Sequence, residues 1–397
     1  MKKLFALLLV AVMILGMAAC TKTPEKKTDL VVGFIFLHDE NSTYDKNFID
    51  AAVEACNAMN VKMVQKTQIP EKKECYDAAI ELIEVDGCDI IFADSFGHEA
   101  FLMQAAQEHP EVQFCHATGT QAHTAGLKNF HNAFASIYQG RYAAGVVAGL
   151  KLNEMIASGK ITKEQAKMGY VGAFTFAEVI SGYTSFYLGA KSVCPTVTMD
   201  VKFTGSWYDE QKEKQAAQAL IDGGCVLISQ HADSMGAPMA CENAKVPNVS
   251  YNGSTATACP NTFLVSSRIN WVPYFKYMIT QVMEGKEIDT DWTGDLTTGS
   301  VMLTDLGKTV AYGTQEKLDA VIKGLKDGTI QVFDTKNFTV GGQTLTSYKA
   351  DVDYDAAFAK DTEVITNGIF EESKYRSGPY FDLEIDGINL LDREYGD

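Results

Sequence analysis

The sequence predicts an α/β protein of two similar lobes, each built on a doubly wound parallel sheet, behind an N-terminal export segment. Three observations carry this. Strand-length apolar runs alternate with amphipathic helical stretches, the order of these elements occurs twice, and residues 1–19 have the make-up of a signal peptide.

Residues 30–36 are a continuous apolar run of strand length, and 48–59 follow with apolar residues at helical spacing. Strand-like 61–64, helical 78–84, strand-like 89–93, helical 98–108 and strand-like 112–116 come next. Strands that are apolar throughout are buried on both faces, and helices between them supply the cover.

The same order then returns. Val32-Gly33-Phe34-Ile35 is echoed by Met168-Gly169-Tyr170-Val171, and Val61-Lys62-Met63 by Val197-Thr198-Met199. The passage from Leu82-Ile83 to Ile90-Ile91 returns from Leu220-Ile221 to Leu227-Ile228. Beyond it, Asp94-Ser95-Phe96-Gly97 matches Asp233-Ser234-Met235-Gly236. The offset drifts only from 136 to 139 residues, so an internal duplication is expected.

At the N-terminus, Lys2 and Lys3 precede an apolar run from Leu4 to Leu15, and Ala18-Ala19 lead into Cys20. A charged start, a short apolar stretch and a small-residue exit describe a secretory signal. A cysteine directly after that exit predicts a lipoprotein whose thiol is lipidated, with polar residues 20–29 as a tether. Eight further cysteines, Cys56, Cys75, Cys88, Cys115, Cys194, Cys225, Cys241 and Cys259, fall mostly on apolar faces or in strands and read as small buried hydrophobes. A formal charge of −17 argues against nucleic acid or anionic lipid as partner.

In open parallel sheets, ligands bind beyond the carboxyl ends of the strands. Two such sheets facing each other place those loops around one interlobe cleft. The candidate ligand-binding residues are Tyr44, Asn47, Phe48, Asp94, Ser95, Phe96, Thr118, Phe174, Phe176, Trp207, His231, Asp233, Asn252 and Trp271. Rings suit a flat, π-faced ligand, and Asp or Asn reads its polar edge. Basic residues are nearly absent from these loops, Lys46 excepted, which favours a neutral or weakly cationic ligand over a phosphate. No G-x-S-x-G elbow, P-loop lysine or H-E-x-x-H pattern is present, so no catalytic residue or metal is expected and an enzyme is disfavoured.

The stretches Tyr44-Asp45-Lys46-Asn47-Phe48, Ala93-Asp94-Ser95-Phe96-Gly97, Tyr138-Gln139-Gly140-Arg141, Val179-Ile180-Ser181-Gly182 and Asn270-Trp271-Val272-Pro273-Tyr274 resemble the basic membrane protein (BMP) family of ABC-importer substrate-binding lipoproteins. The similarity runs from about Leu30 to Gly328. The resemblance implies no cofactor and a type I periplasmic-binding-protein fold whose hinge has three crossovers, expected near Lys167, Phe263 and Gly294. Lobe 1 is then 30–165 plus 264–293, and lobe 2 is 166–263 plus 294–397. It also implies a monomer, lipid-anchored on the extracytoplasmic side of the cell membrane, that passes a purine base or nucleoside to an importer permease. Asn252 and the Arg268–Asn270 stretch stand where the family's nucleoside binders place a ribose-gripping Asp and Lys, which brings this sequence closer to a branch associated with free bases. A receptor for a sugar or other neutral metabolite, or a sensory or host-interaction lipoprotein on the same scaffold, are the alternatives.

Overall fold

Lobe 1 opens with β1 (Val31–Ile35), α1 (Thr43–Met59), β2 (Lys62–Lys66), α2 (Lys73–Glu84) and β3 (Ile90–Ala93). It continues through α3 (Glu99–Glu108), β4 (Gln113–Ala117), a short α4 (Ala122–Ala125) and β5 (Phe130–Ala135). The sheet runs β2-β1-β3-β4-β5, and β11 (Asp291–Gly294) returns from later in the chain to pair with β5; every pairing is parallel. The computed structural model describes residues 29–353, 357 and 359–392, so the leader and Cys20 lie outside the described residues. Helix α1 starts five residues before the apolar spacing begins at Phe48, because Ser42 caps it by accepting from the Asp45 N–H. A polar first turn leaves no hydrophobic signature.

Lobe 2 repeats the plan. It holds β6 (Lys167–Gly172), α6 (Ala177–Val193), β7 (Thr198–Phe203), α7 (Glu210–Asp222), β8 (Leu227–His231), α8 (Gly236–Ala244), β9 (Asn248–Tyr251) and β10 (Phe263–Ile269). Its sheet runs β7-β6-β8-β9-β10 in parallel, flanked by β17 (Ile388–Leu390) on β7 and by an antiparallel β12 (Val301–Leu303) on β10. All eight described cysteines are buried and free.

Two of the three crossings differ from their expected places, and the third falls near Gly294 as expected. Helix α5 (Tyr138–Ala157) packs along α6, so the chain enters lobe 2 at Ser136–Ile137 rather than near Lys167. Small residues set that contact: a Cβ on Gly145 would lie 2.0 Å from the Phe186 carbonyl oxygen, and one on Gly189 2.0 Å from that of Tyr142. Strand β10 completes the second sheet, so the next crossing follows Ile269 instead of Phe263. Helix α9 (Val272–Met283) then packs on α1, and β11 joins lobe 1 before the third crossing beyond Gly294. Helix α10 (Thr314–Lys326) leads into a strap of short pairs, β13 (Lys349–Ala350) with β14 (Thr362–Glu363) and β15 (Ile365–Thr366) with β16 (Ile369–Phe370). This strap is not confined to lobe 2, where residues 294–397 were expected. Ser377 donates to Asp291 on β11 of lobe 1 through both its N–H (2.9 Å) and its hydroxyl (2.8 Å), while β17 is anchored in the lobe 2 sheet.

Candidate functional site

The strand ends of the two sheets face each other, and the lobes touch there. The N–H and hydroxyl of Thr43 in lobe 1 donate to the carbonyl of Asp233 in lobe 2, at 2.9 and 3.2 Å. The Phe96 and Phe176 rings stack across the seam with centroids 5.0 Å apart. Behind these contacts lies a small cavity, about 20 Å³ in volume. Lobe 1 lines it with Leu37, Tyr44, Ser95, Phe96 and Thr118, and lobe 2 with Glu178, Trp207, His231 and Asp233.

Local chain geometry puts these side chains there. Tyr44, in the first turn of α1, donates its hydroxyl to the Asp94 carbonyl at 2.8 Å, which ties the helix start to the loop after β3. Ser95 and Gly97 of that loop donate to Glu71 at 2.6 and 2.7 Å. Thr118 follows β4 with φ of +58°, a strained setting for a β-branched residue and one often found at ligand sites. In lobe 2 the Trp207 ring meets Phe174 edge-on at 4.9 Å, and Phe174 stacks on Phe176 at 5.3 Å. The outcome is a continuous aromatic wall, Phe96-Phe176-Phe174-Trp207, shared by both lobes.

The remaining candidates sit elsewhere. Asp94 lies fully buried beneath the lining, where one carboxylate oxygen accepts from Leu37 N–H at 3.1 Å and the other has no partner among the described residues. Phe48 and Trp271 stack on each other at 4.4 Å inside the hydrophobic core between α1 and α9, away from the cavity lining. Asn47 is buried too and donates to the Ile269 carbonyl at the second crossing. Asn252 takes a left-handed φ of +60°, and its buried side-chain amide nitrogen has no protein partner among the described residues. These five were expected at the ligand; none of them lines the cavity.

In lobe 1, burial and then the neighbouring Asp45 push the Asp94 carboxyl well above the usual carboxylate range. Burial pushes the Asp233 carboxyl well above the usual carboxylate range, with Asp45, Glu213 and Glu178 adding to it. Burial lowers the His231 pKa, so its imidazole is neutral at pH 7, and it lies 3.2 Å from the Glu178 carboxylate. Behind His231, the fully buried Arg141 guanidinium lies 3.4 Å from the Tyr251 ring centroid and donates to the Gln230 carbonyl at 3.1 Å. Its Nε and Nη2 have no protein partner among the described residues. A cation behind a wall carrying two carboxylates offsets part of their mutual repulsion. The expected scarcity of basic residues holds for the lining but misses Arg141, which enters from the hinge helix. Leu37, Glu178 and Arg141 were not singled out from sequence. Glu178 and Leu37 are adjacent to candidate loop positions, and Arg141 closes the Tyr138-Gln139-Gly140-Arg141 stretch, so the only signal for it was the family resemblance.

A family model described as ABC transporter substrate-binding protein PnrA-like, the Bmp family, matches residues 34–336. The chain belongs to the Bmp family. Two relatives bear names that point in different directions. A Brucella abortus purine-binding protein is 33% identical over 64% of this chain and 69% of its own length. A Haloferax volcanii protein provisionally named an ABC transporter glucose-binding protein is 30% identical over 62% of this chain, and the match spans 59% of that relative. Among solved structures, a solute-binding protein of an ABC transporter system from Conexibacter woesei superposes with a TM-score of 0.61 at 19% identity, covering 76% of this chain and 97% of that one. The family is thus one of ABC transporter substrate-binding proteins, and the chain spans about three fifths of the length of the Haloferax relative. Among the described residues no helix is long and apolar enough to cross a membrane.

Proposed function

We propose that this Bmp-family protein captures a purine, as free base or nucleoside, by closing its two lobes, and that a lipid on Cys20 holds it as a monomer beside its permease. The observation that carries the reading is the aromatic wall spanning both lobes beside a pocket with two carboxylates, Glu178 and Asp233. A flat heteroaromatic ring stacks on such a wall, and its ring and exocyclic N–H groups donate to the carboxylates. An N–H donor also favours the ionised form of a carboxyl that burial has pushed up, so Asp233 is matched to a donor-rich ligand. The name of the Brucella relative supports the same reading. Capture follows from closure: a ligand touching both lobes stabilises the closed form by its differential affinity for it.

A thermal-shift screen of the domain from Thr28 onward, against adenine, guanine, hypoxanthine, their nucleosides, ribose and glucose, tests this. At a hundredfold excess over Kd, a bound ligand raises apparent stability by about 2.7 kcal/mol. Stabilisation by purines and not by ribose or glucose is the expected result, and base against nucleoside distinguishes the two forms. A response to glucose alone would replace the purine with a sugar, the ligand in the name of the Haloferax relative. The anchor is checked separately: Cys20→Ala is expected to shift the chain from the membrane fraction to the soluble one, and unchanged membrane association would remove the lipid from the proposal.

A further inference from the structure

The duplicated Asp-Ser-x-Gly loops are each backed by a glutamate. In lobe 1, Glu71 is half-buried and accepts from the Ser95 hydroxyl and the Gly97 N–H. In lobe 2 the partner is Glu213 on α7, which is fully buried. Its carboxylate accepts from the Ser234 N–H through both oxygens at 3.2 Å and from the Asp209 N–H at 3.2 Å. Those amides belong to the two loops that carry Asp233 and Trp207. The fit is tight, since a Cβ on Gly236 would lie 3.0 Å from the Glu213 Cβ and 2.3 Å from the Glu210 carbonyl oxygen.

We propose that Glu213 is a positioning residue that sets the second-lobe half of the pocket by holding the Trp207 and Asp233 loops in register with each other. One carboxylate serving two loops makes their arrangement depend on its protonation. A protonated carboxyl gives up part of its acceptor capacity and becomes a donor facing N–H groups. Burial pushes the Glu213 carboxyl up to about 7, against hydrogen bonds from Ser234 and Asp209 that favour the ionised form. The titratable groups facing it are Asp209 at the start of α7, Asp233 on the adjoining loop and Tyr208 between them. Two consequences oppose each other. Because this carboxyl is raised above its ordinary value of 4.5, its contribution to stability is fully present below that pH and is lost as pH rises through about 7. Pocket order follows the ionised form and is lost in the other direction, as pH falls through about 7.

Fluorine NMR of 5-fluorotryptophan-labelled protein, with the Trp207 signal assigned by Trp207→Phe, tests this without any ligand. The Trp207 resonance is expected to titrate with a midpoint near 7 in the parent protein and to stay flat in Glu213→Gln. His38→Gln serves as control, because His38 lies 5.4 Å from Tyr208 and is expected to leave the titration in place. A flat parent signal, or one that titrates identically in Glu213→Gln, overturns the proposal; the parent titration decides even if the variant does not fold. With hypoxanthine as probe, affinity is expected to fall about tenfold per pH unit below the midpoint, one proton per binding event, and only in the parent protein. Absence of hypoxanthine binding at every pH bears on the purine reading and leaves the fluorine result to decide the role of Glu213.

Discussion

The first lobe meets the pocket with neutral groups, Leu37, Tyr44, Ser95, Phe96 and Thr118, whereas the second brings Glu178, His231 and Asp233 beside Trp207. The sequences of the two halves follow one pattern but differ in the side chains they present. Both retain the loop register, seen in Asp94-Ser95-Phe96-Gly97 and Asp233-Ser234-Met235-Gly236, and both back it with a glutamate. The side chains differ instead. Asp94 turns inward to the Leu37 N–H, while its counterpart Asp233 lines the cavity. Phe96 offers a ring where Met235 does not line the cavity. The scaffold that aims the loop is thus common to both lobes, while lobe 1 lines the pocket with neutral groups alone and lobe 2 adds charge to its rings.

That division predicts unequal losses. Asp233→Ala removes one of the two carboxylates with which lobe 2 lines the pocket, Glu178 being the other, while its backbone carbonyl still accepts from Thr43, so interlobe contact survives. A buried hydrogen bond to a charged group is worth about 1.5–3 kcal/mol, so purine affinity is expected to fall by up to about 150-fold. Phe96→Ala takes one ring from the stack, at about 1–3 kcal/mol, and is expected to weaken every flat ligand alike. Calorimetry with a purine series separates the two. Asp233→Ala should change the ranking among ligands, and Phe96→Ala should lower all of them with little change of rank. If Phe96→Ala alters selectivity more than Asp233→Ala, the assignment of stacking to Phe96 and edge reading to Asp233 is wrong.

Much of this scaffold was legible in the residues. The strands are long apolar runs whose burial on both faces leaves one choice of neighbour, a covering helix, so Val31–Ile35, Ile90–Ala93 and Leu227–His231 lie close to where their hydrophobicity places them. The crossings were less legible. Helix α5 is rich in Ala and Gly on all sides, and such a surface packs against either lobe; the contact with Gly189 on α6 decides, and that is a long-range fact. For the same reason Phe48 and Trp271, aromatic and near the right loops, were placed at the ligand although they fill the core between α1 and α9. Glu213 left no local signal either. An acidic residue in the first turns of a helix is ordinary, and its burial becomes visible only once the Ser234 loop closes over it.

The smallest expected effect concerns the strap, which lies beyond the family match at residue 336. It holds lobe 1 through Ser377 and Asp291, and lobe 2 through Glu372, which accepts from Ser181 at 2.5 Å, and through Lys202 and Asp392 at 2.8 Å. These bonds differ in what they span. The Ser377 pair joins a strap rooted in lobe 2 to the other lobe, so it is made or strained according to closure. The Lys202–Asp392 pair stays within lobe 2 and is indifferent to it. Only an interaction that differs between open and closed forms shifts their equilibrium. Ser377→Ala leaves the N–H bond to Asp291 intact and removes the hydroxyl one, worth about 1 kcal/mol. The expected result in stopped-flow release of a bound purine is an off-rate about fivefold faster. Asp392→Ala, which breaks a half-exposed pair, is expected to lower Tm slightly and leave release unchanged. Equal effects of the two variants on release would mean that the strap braces lobe 2 alone, and the two lobes would then be held closed by the cleft contacts of Thr43, Phe96 and Phe176 without help from outside it.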